Sequence, residues 1–125
     1  MNYNEILKKG ENILKRNKIK NPNLDTELIL SKVINREREE ILLNINNKIE
    51  NNQITKFKNY LTRRKQKEPI EYIIGYKYFW KYKFLANKSV LIPRPDTELI
   101  IEESLNYIRN DKSKKILDIG TGSGC

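Results

Sequence analysis

Apolar residues at Tyr3, Ile6, Leu7, Ile13 and Leu14 form one stripe along residues 2–17, the spacing of an amphipathic helix. A second helix is predicted over "KNPNLDTELILSKVIN", with Pro22 in its first turn and Leu24, Leu28, Leu30, Val33 and Ile34 as its apolar face. A third, short helix fits Arg36 to Asn44, and the asparagine-rich "NINNKIENN" reads as a loop. A fourth fits Gln53 to Lys67, with Ile54, Phe57, Tyr60 and Leu61 facing inward. "EPIEYIIG" adds a helical turn opened by Pro69 and stopped by Gly75. Residues 1–75 therefore read as an all-α helical bundle.

The pattern changes at Tyr76. "YKYFWKYKFLANKSVLI", residues 76–92, concentrates aromatic and β-branched residues with partial alternation, which predicts a β-hairpin. Phe79 and Trp80 read as packing residues there, although an aromatic pair among lysines also suits base stacking. From residue 93, two prolines flank Arg94 and push Ile92 and Arg94 towards extended backbone. Pro95 opens a helix in which Asp96 and Glu98 lie where the helix dipole favours acids, and Ile100, Ile101, Leu105 and Ile108 supply its face. "KILDIG" then reads as a short buried strand running into glycines. Hairpin, helix, strand and glycine turn in this order predict the entry into an α/β domain.

Composition narrows the classes. The 125 residues carry a net charge of +9 and a single cysteine, Cys125, so no internal disulfide can form. With no histidine, the chain holds no serine–histidine or cysteine–histidine pair. No apolar run approaches the ~20 residues that cross a membrane, and the charged N-terminus lacks a signal-peptide core, so a cytoplasmic location is expected. The positive charge sits upstream: residues 1–66 sum to +7, residues 67–89 to +3 and residues 90–125 to −1. A basic face for nucleic acid, with Lys56, Lys58, Arg63 and Arg64 as contacts, is one reading. A simple excess of lysine, isoleucine and asparagine, together 52 residues, is the other.

The most specific chemistry lies in "ILDIGTGSGC". Glycines let a chain turn sharply after a strand and let a ligand approach the backbone. A dinucleotide fingerprint starting at Gly120 would need Gly or Ala at position 125, where Cys125 stands. A Walker loop needs a Lys-Ser/Thr pair after its last glycine, and none is present. What stands is D-x-G-x-G-x-G, which resembles motif I of class I methyltransferases that use S-adenosylmethionine. Another nucleotide-binding α/β fold and an ordinary glycine loop remain open from this motif alone.

"PIEYIIG", the aromatic hairpin, "VLIPRPDTE" and "ILDIGTGSGC" follow one another at compact spacing. That order resembles the release-factor glutamine methyltransferases, the PrmC/HemK family, over the whole chain. The resemblance implies a helical substrate-recognition domain at 1–75, a hairpin linker at 76–92, and the start of a Rossmann-like class I methyltransferase domain at 93–125. It implies transfer of a methyl group from S-adenosylmethionine to the side-chain amide nitrogen of the glutamine in the Gly-Gly-Gln loop of class 1 peptide-chain release factors. Gly120, Thr121, Gly122, Ser123 and Gly124 would line the methionyl part of the cofactor, with Asp118 facing its amino group. Arg94, Pro95, Thr97 and Glu98 would flank the same pocket; a simple Arg94–Glu98 pair across one helical turn is the alternative. No metal and no membrane contact is implied, and a monomer is expected.

The family's Asn-Pro-Pro-Tyr motif, which holds the amide, and the acidic residue that ends its second strand are absent from these residues. The chain by itself is therefore expected to be truncated and inactive, with "ILDIG" an uncovered apolar edge. A non-catalytic basic helical module that grips a release factor or RNA is the competing reading.

Overall fold

The computed structural model describes every residue except 110 and 112, and divides into two compact units, Met1–Ile74 and Gly75–Cys125. The first is all helical: α1 (Tyr3–Arg16), α2 (Pro22–Ile34), α3 (Arg38–Leu43), α4 (Asn51–Lys65) and α5 (Ile70–Ile74).

The start of α1 shows how local sequence sets a helix end. The first four N–H groups of a helix lack partners within it. Here Tyr3 N–H donates to the Asn47 carbonyl and Asn4 N–H to that of Ile45, both at 3.0 Å. Glu5 N–H donates to Asn2 Oδ1 at 2.9 Å, while the Glu5 carboxylate accepts from Asn2 N–H in a reciprocal capping box. Ile6 N–H closes on the Asn2 carbonyl. The asparagine-rich loop thus completes the α1 terminus, and Ile49 beneath it is buried.

Helix α2 is the centre of this unit and packs on α1, α3, α4 and α5. A helix surrounded in this way has no solvent stripe to read from sequence. Ile29 and Leu30 are buried at its middle, with Val33 and Ile34 partly so, whereas Leu24, expected inside, is exposed. Asp25, Thr26, Glu27 and Ser31 turn inward instead. Each has a partner: Asp25 accepts from Arg64 Nε at 2.7 Å, Thr26 Oγ1 donates to the Pro22 carbonyl at 2.6 Å, Glu27 pairs with Arg38, and Ser31 Oγ donates to the Arg36 carbonyl. Buried polar groups are tolerated only on those terms.

On α4, Phe57 and Leu61 are buried and Ile54 and Tyr60 pack beside them, as the periodicity predicts. On α1 the inward stripe is Tyr3, Ile6, Leu7, Gly10 and Leu14; Ile13 lies on its flank and is exposed. Gly10 faces α2 and α4 at close range. A Cβ there would stand 2.6 Å from Thr26 Cγ2 and 3.0 Å from Phe57 Cζ.

The second unit holds a two-stranded antiparallel sheet, β1 (Tyr76–Phe79) with β2 (Tyr82–Leu85), then a 3-10 turn at Pro95–Thr97 and α6 (Glu98–Ile108). Gly75, at φ +90°, provides the exit from α5 that a side chain would strain. No residue of α6 is fully buried: Ile101, Leu105 and Ile108 share a half-buried stripe, and Leu99, Ile100 and Tyr107 are exposed. Residues 116–119 read as a strand that is buried in a complete sheet and uncovered without one; they form no strand here and are exposed. Ile116, Leu117 and Ile119 face solvent, because no further strand among the described residues offers them a hydrogen-bonding edge.

Candidate functional site

The hairpin pairs Phe79 with Tyr82 and leaves Trp80 and Lys81 as a two-residue loop. Trp80 takes φ +55°, a left-handed conformation that bulky residues avoid. What holds it is Glu98: the Trp80 backbone N–H donates to Glu98 Oε1 at 2.7 Å. Glu98 is the first residue of α6, and the indole beside it walls a groove of about 270 Å³ lined by Glu102, Leu105, Asn106 and Arg109. Phe79, by contrast, is buried, its ring meeting Phe84 edge-on.

The residues before Glu98 are arranged as their sequence demands. Arg94 is extended, at φ −97° and ψ 144°, and Thr97 N–H closes on its carbonyl at 3.1 Å around Pro95. Arg94 makes no ion pair among the described residues, so the expected alternative of an Arg94–Glu98 bridge does not form. Arg94, Pro95 and Thr97 are exposed.

In the glycine turn, Gly120, Gly122 and Gly124 take φ of +79°, +60° and +81°. Each is conformationally reserved for a residue without a side chain. Gly124 N–H donates to the Thr121 carbonyl at 3.0 Å, and Ser123 Oγ to Cys125 Sγ. A Cβ on Gly120 or Gly124 would meet nothing within 4 Å, so backbone angle and not crowding fixes these two. Asp118 is exposed just ahead of the turn. No hydrogen bond or ion pair among the described residues joins the Arg94–Glu98 segment to the glycine turn.

The cationic residues proposed on α4 divide sharply. Lys56 and Lys58 are exposed. Arg63 is held by Glu68 through Nε at 2.8 Å and Nη2 at 2.7 Å. That hydrogen bonding raises the Arg63 pKa, against a smaller desolvation penalty. Arg64 is spent on Asp25 and on the Glu68 carbonyl. Arg64 ties α4 to α2, and Arg63 ties the end of α4 to the chain that follows it; composition alone could not separate them from the lysines.

Comparison with known proteins then bears on the first unit. The PrmC N-terminal domain matches residues 5–75. The chain belongs to that family. The release factor glutamine methyltransferase of Buchnera aphidicola subsp. Baizongia pistaciae is 44% identical over 103 residues, covering 82% of this chain and 37% of that protein. Its namesake from Buchnera aphidicola subsp. Schizaphis graminum is 41% identical over 124 residues, 99% of this chain and 44% of that protein. The Mycoplasma mycoides subsp. mycoides protein of the same name is 40% identical over 114 residues, 87% and 40% respectively. The chain spans less than half the length of these relatives. The resemblance drawn from the IPRPDTE and glycine motifs therefore holds at the level of the family.

Proposed function

We infer that the chain is the N-terminal part of an S-adenosylmethionine-dependent enzyme that methylates the glutamine amide of the Gly-Gly-Gln loop in class 1 release factors. The observation that carries this reading is the turn D-x-G-x-G-x-G, all three of whose glycines adopt positive φ, behind IPRPDTE in a chain whose relatives are named release factor glutamine methyltransferases. In this reading residues 1–75 recognise the substrate, 76–92 link, and 93–125 open a Rossmann-like domain. Exposed Leu99, Ile100, Tyr107, Ile116, Leu117 and Ile119 supply the apolar surface such a sheet layer would cover.

The donor set suits the methionyl end of the cofactor. Asp118 offers a carboxylate for its ammonium group, and the N–H groups of residues 120–123 offer donors for its carboxylate, the Gly124 N–H being closed on the Thr121 carbonyl. When bound, the cofactor supplies an electrophilic methyl on a sulfonium. Arg94, Pro95 and Thr97 flank the pocket, and Glu98, engaged by the Trp80 N–H, fixes the hairpin tip to the start of α6. An amide nitrogen is a poor nucleophile, so orientation of the glutamine supplies much of the catalysis, and no covalent nucleophile is needed. The groups that orient it lie outside these residues, and the 125 residues alone neither methylate nor hold the cofactor firmly. The reading places the enzyme in the cytoplasm as a monomer.

The test takes the intact gene product, with peptide mapping past Cys125. Incubation with S-adenosylmethionine and a class 1 release factor should add one methyl to the Gly-Gly-Gln peptide. An unmodified glutamine under conditions where a related enzyme modifies it refutes the reading.

A further inference from the structure

The solvent face of the hairpin carries chemistry that neither the helical unit nor the glycine turn uses. Strand register pairs Tyr76 with Leu85 and Tyr78 with Lys83, so these four side chains share one face. On it Tyr78 is 60% exposed and Leu85 82%. The Tyr76 and Tyr78 rings meet edge to face with centroids 5.7 Å apart. The Lys83 ammonium stands 3.9 Å from the Tyr76 centroid and 5.8 Å from that of Tyr78, held on this face by cation–π attraction. Residues 76–92 contain four lysines, Lys77, Lys81, Lys83 and Lys88, and no carboxylate.

A polyanion with flat faces satisfies all of these features together. The uniform positive charge selects a phosphate chain, and an exposed ring beside a cation selects a base, since every base has a π face. We propose that this face binds single-stranded nucleic acid, with a base stacked on Tyr78 and phosphates met by Lys81 and Lys83. A duplex hides its base faces and cannot stack in this way. The structure thus moves the stacking role from Phe79 and Trp80, which pack, to Tyr78. The proposal is independent of methyl transfer and survives or fails without it.

The test is fluorescence anisotropy of a labelled mixed-sequence RNA dodecamer, its DNA counterpart and the blunt RNA duplex, titrated with the 125-residue protein across a salt series. Both single strands should bind with affinity that falls steeply with salt, and the duplex more weakly. Tyr78→Ala should weaken binding about tenfold at fixed salt, whereas Tyr78→Phe, which keeps the ring, should stay within about twofold of wild type. Lys83→Ala should lower the salt slope by about 0.7. All three changes are at the surface, and circular dichroism checks that each variant folds. Equal affinity of wild type and Tyr78→Ala would overturn the proposal in favour of diffuse charge. Failure to bind at low salt, tighter binding of the duplex, or displacement of RNA by polyglutamate at equal charge would overturn it as well, the last in favour of an acidic protein partner.

Discussion

Gly10→Ala pits two known effects against each other. In an exposed helix interior the change would stabilise by about 1 kcal/mol, because alanine is the better helix former. Within α1, however, the new Cβ would stand 2.6 Å from Thr26 Cγ2 and 3.0 Å from Phe57 Cζ. Neither neighbour yields easily. Thr26 is β-branched, 1% exposed, and tied by Oγ1 to the Pro22 carbonyl, so turning its χ1 breaks a buried hydrogen bond. Phe57 is 2% exposed and closed in by the core. Overpacking of this kind costs about 1–3 kcal/mol. With the propensity gain subtracted, Gly10→Ala should destabilise by about 1 kcal/mol, or lower Tm by about 4–8 °C for a unit of this size. Thr26→Ser removes the offending methyl and keeps the hydroxyl, at the loss of about 1 kcal/mol of apolar burial. The double variant should then be more stable than the sum of the singles predicts, with a coupling of about 1–2 kcal/mol. Urea unfolding followed by far-ultraviolet circular dichroism measures all four corners of the cycle. A Gly10→Ala protein more stable than wild type, or single changes that simply add, would refute the close approach of α1 to α2 and α4.

Arg64→Ala should cost about 3–5 kcal/mol, because it strands the buried Asp25 carboxylate, while Arg36→Ala, which breaks an exposed pair with Glu40, should cost under about 1 kcal/mol; denaturation midpoints of the two variants decide this. Trp80 is the only tryptophan, so its emission reports the hairpin tip directly. Glu98→Ala should shift that emission to the red as the Trp80 backbone N–H loses its acceptor and the indole at the tip opens to water, and Glu98→Gln, whose amide oxygen still accepts, should leave it unshifted. In the intact gene product Asp118→Ala should raise the Kd for S-adenosylmethionine about tenfold to a hundredfold by calorimetry, the worth of a hydrogen bond to a charged group.

Legibility in the sequence followed how much each element depends on its surroundings. Helix α4 was readable because one side faces solvent, leaving Ile54, Phe57, Tyr60 and Leu61 as a clean stripe. Helix α2 was readable as a helix, from Pro22 onward, but not in its facing. It contacts four other helices, and its inward Asp25 and Thr26 are acceptable only because Arg64 and the Pro22 carbonyl meet them. Such partners lie up to 39 residues away along the chain, where no periodicity can register them. Glu98 was flagged through its motif, yet its engagement with the Trp80 N–H, set by the tip of a folded hairpin, was not.

The two halves of the candidate cofactor site differ in the same way. Positive φ at Gly120, Gly122 and Gly124 is a local property, present here without any paired strand beside the turn. The placing of Asp118 is not local. A carboxylate one residue before Ile119 points by the pleat of its strand, and residues 116–119 have no strand partner to set that pleat. A turn shaped in advance saves ordering entropy when a ligand arrives, but an acid free to rotate must be ordered at the ligand's expense. Cofactor affinity should therefore depend on whatever chain pairs with residues 116–119, and far less on further stiffening of the glycine turn.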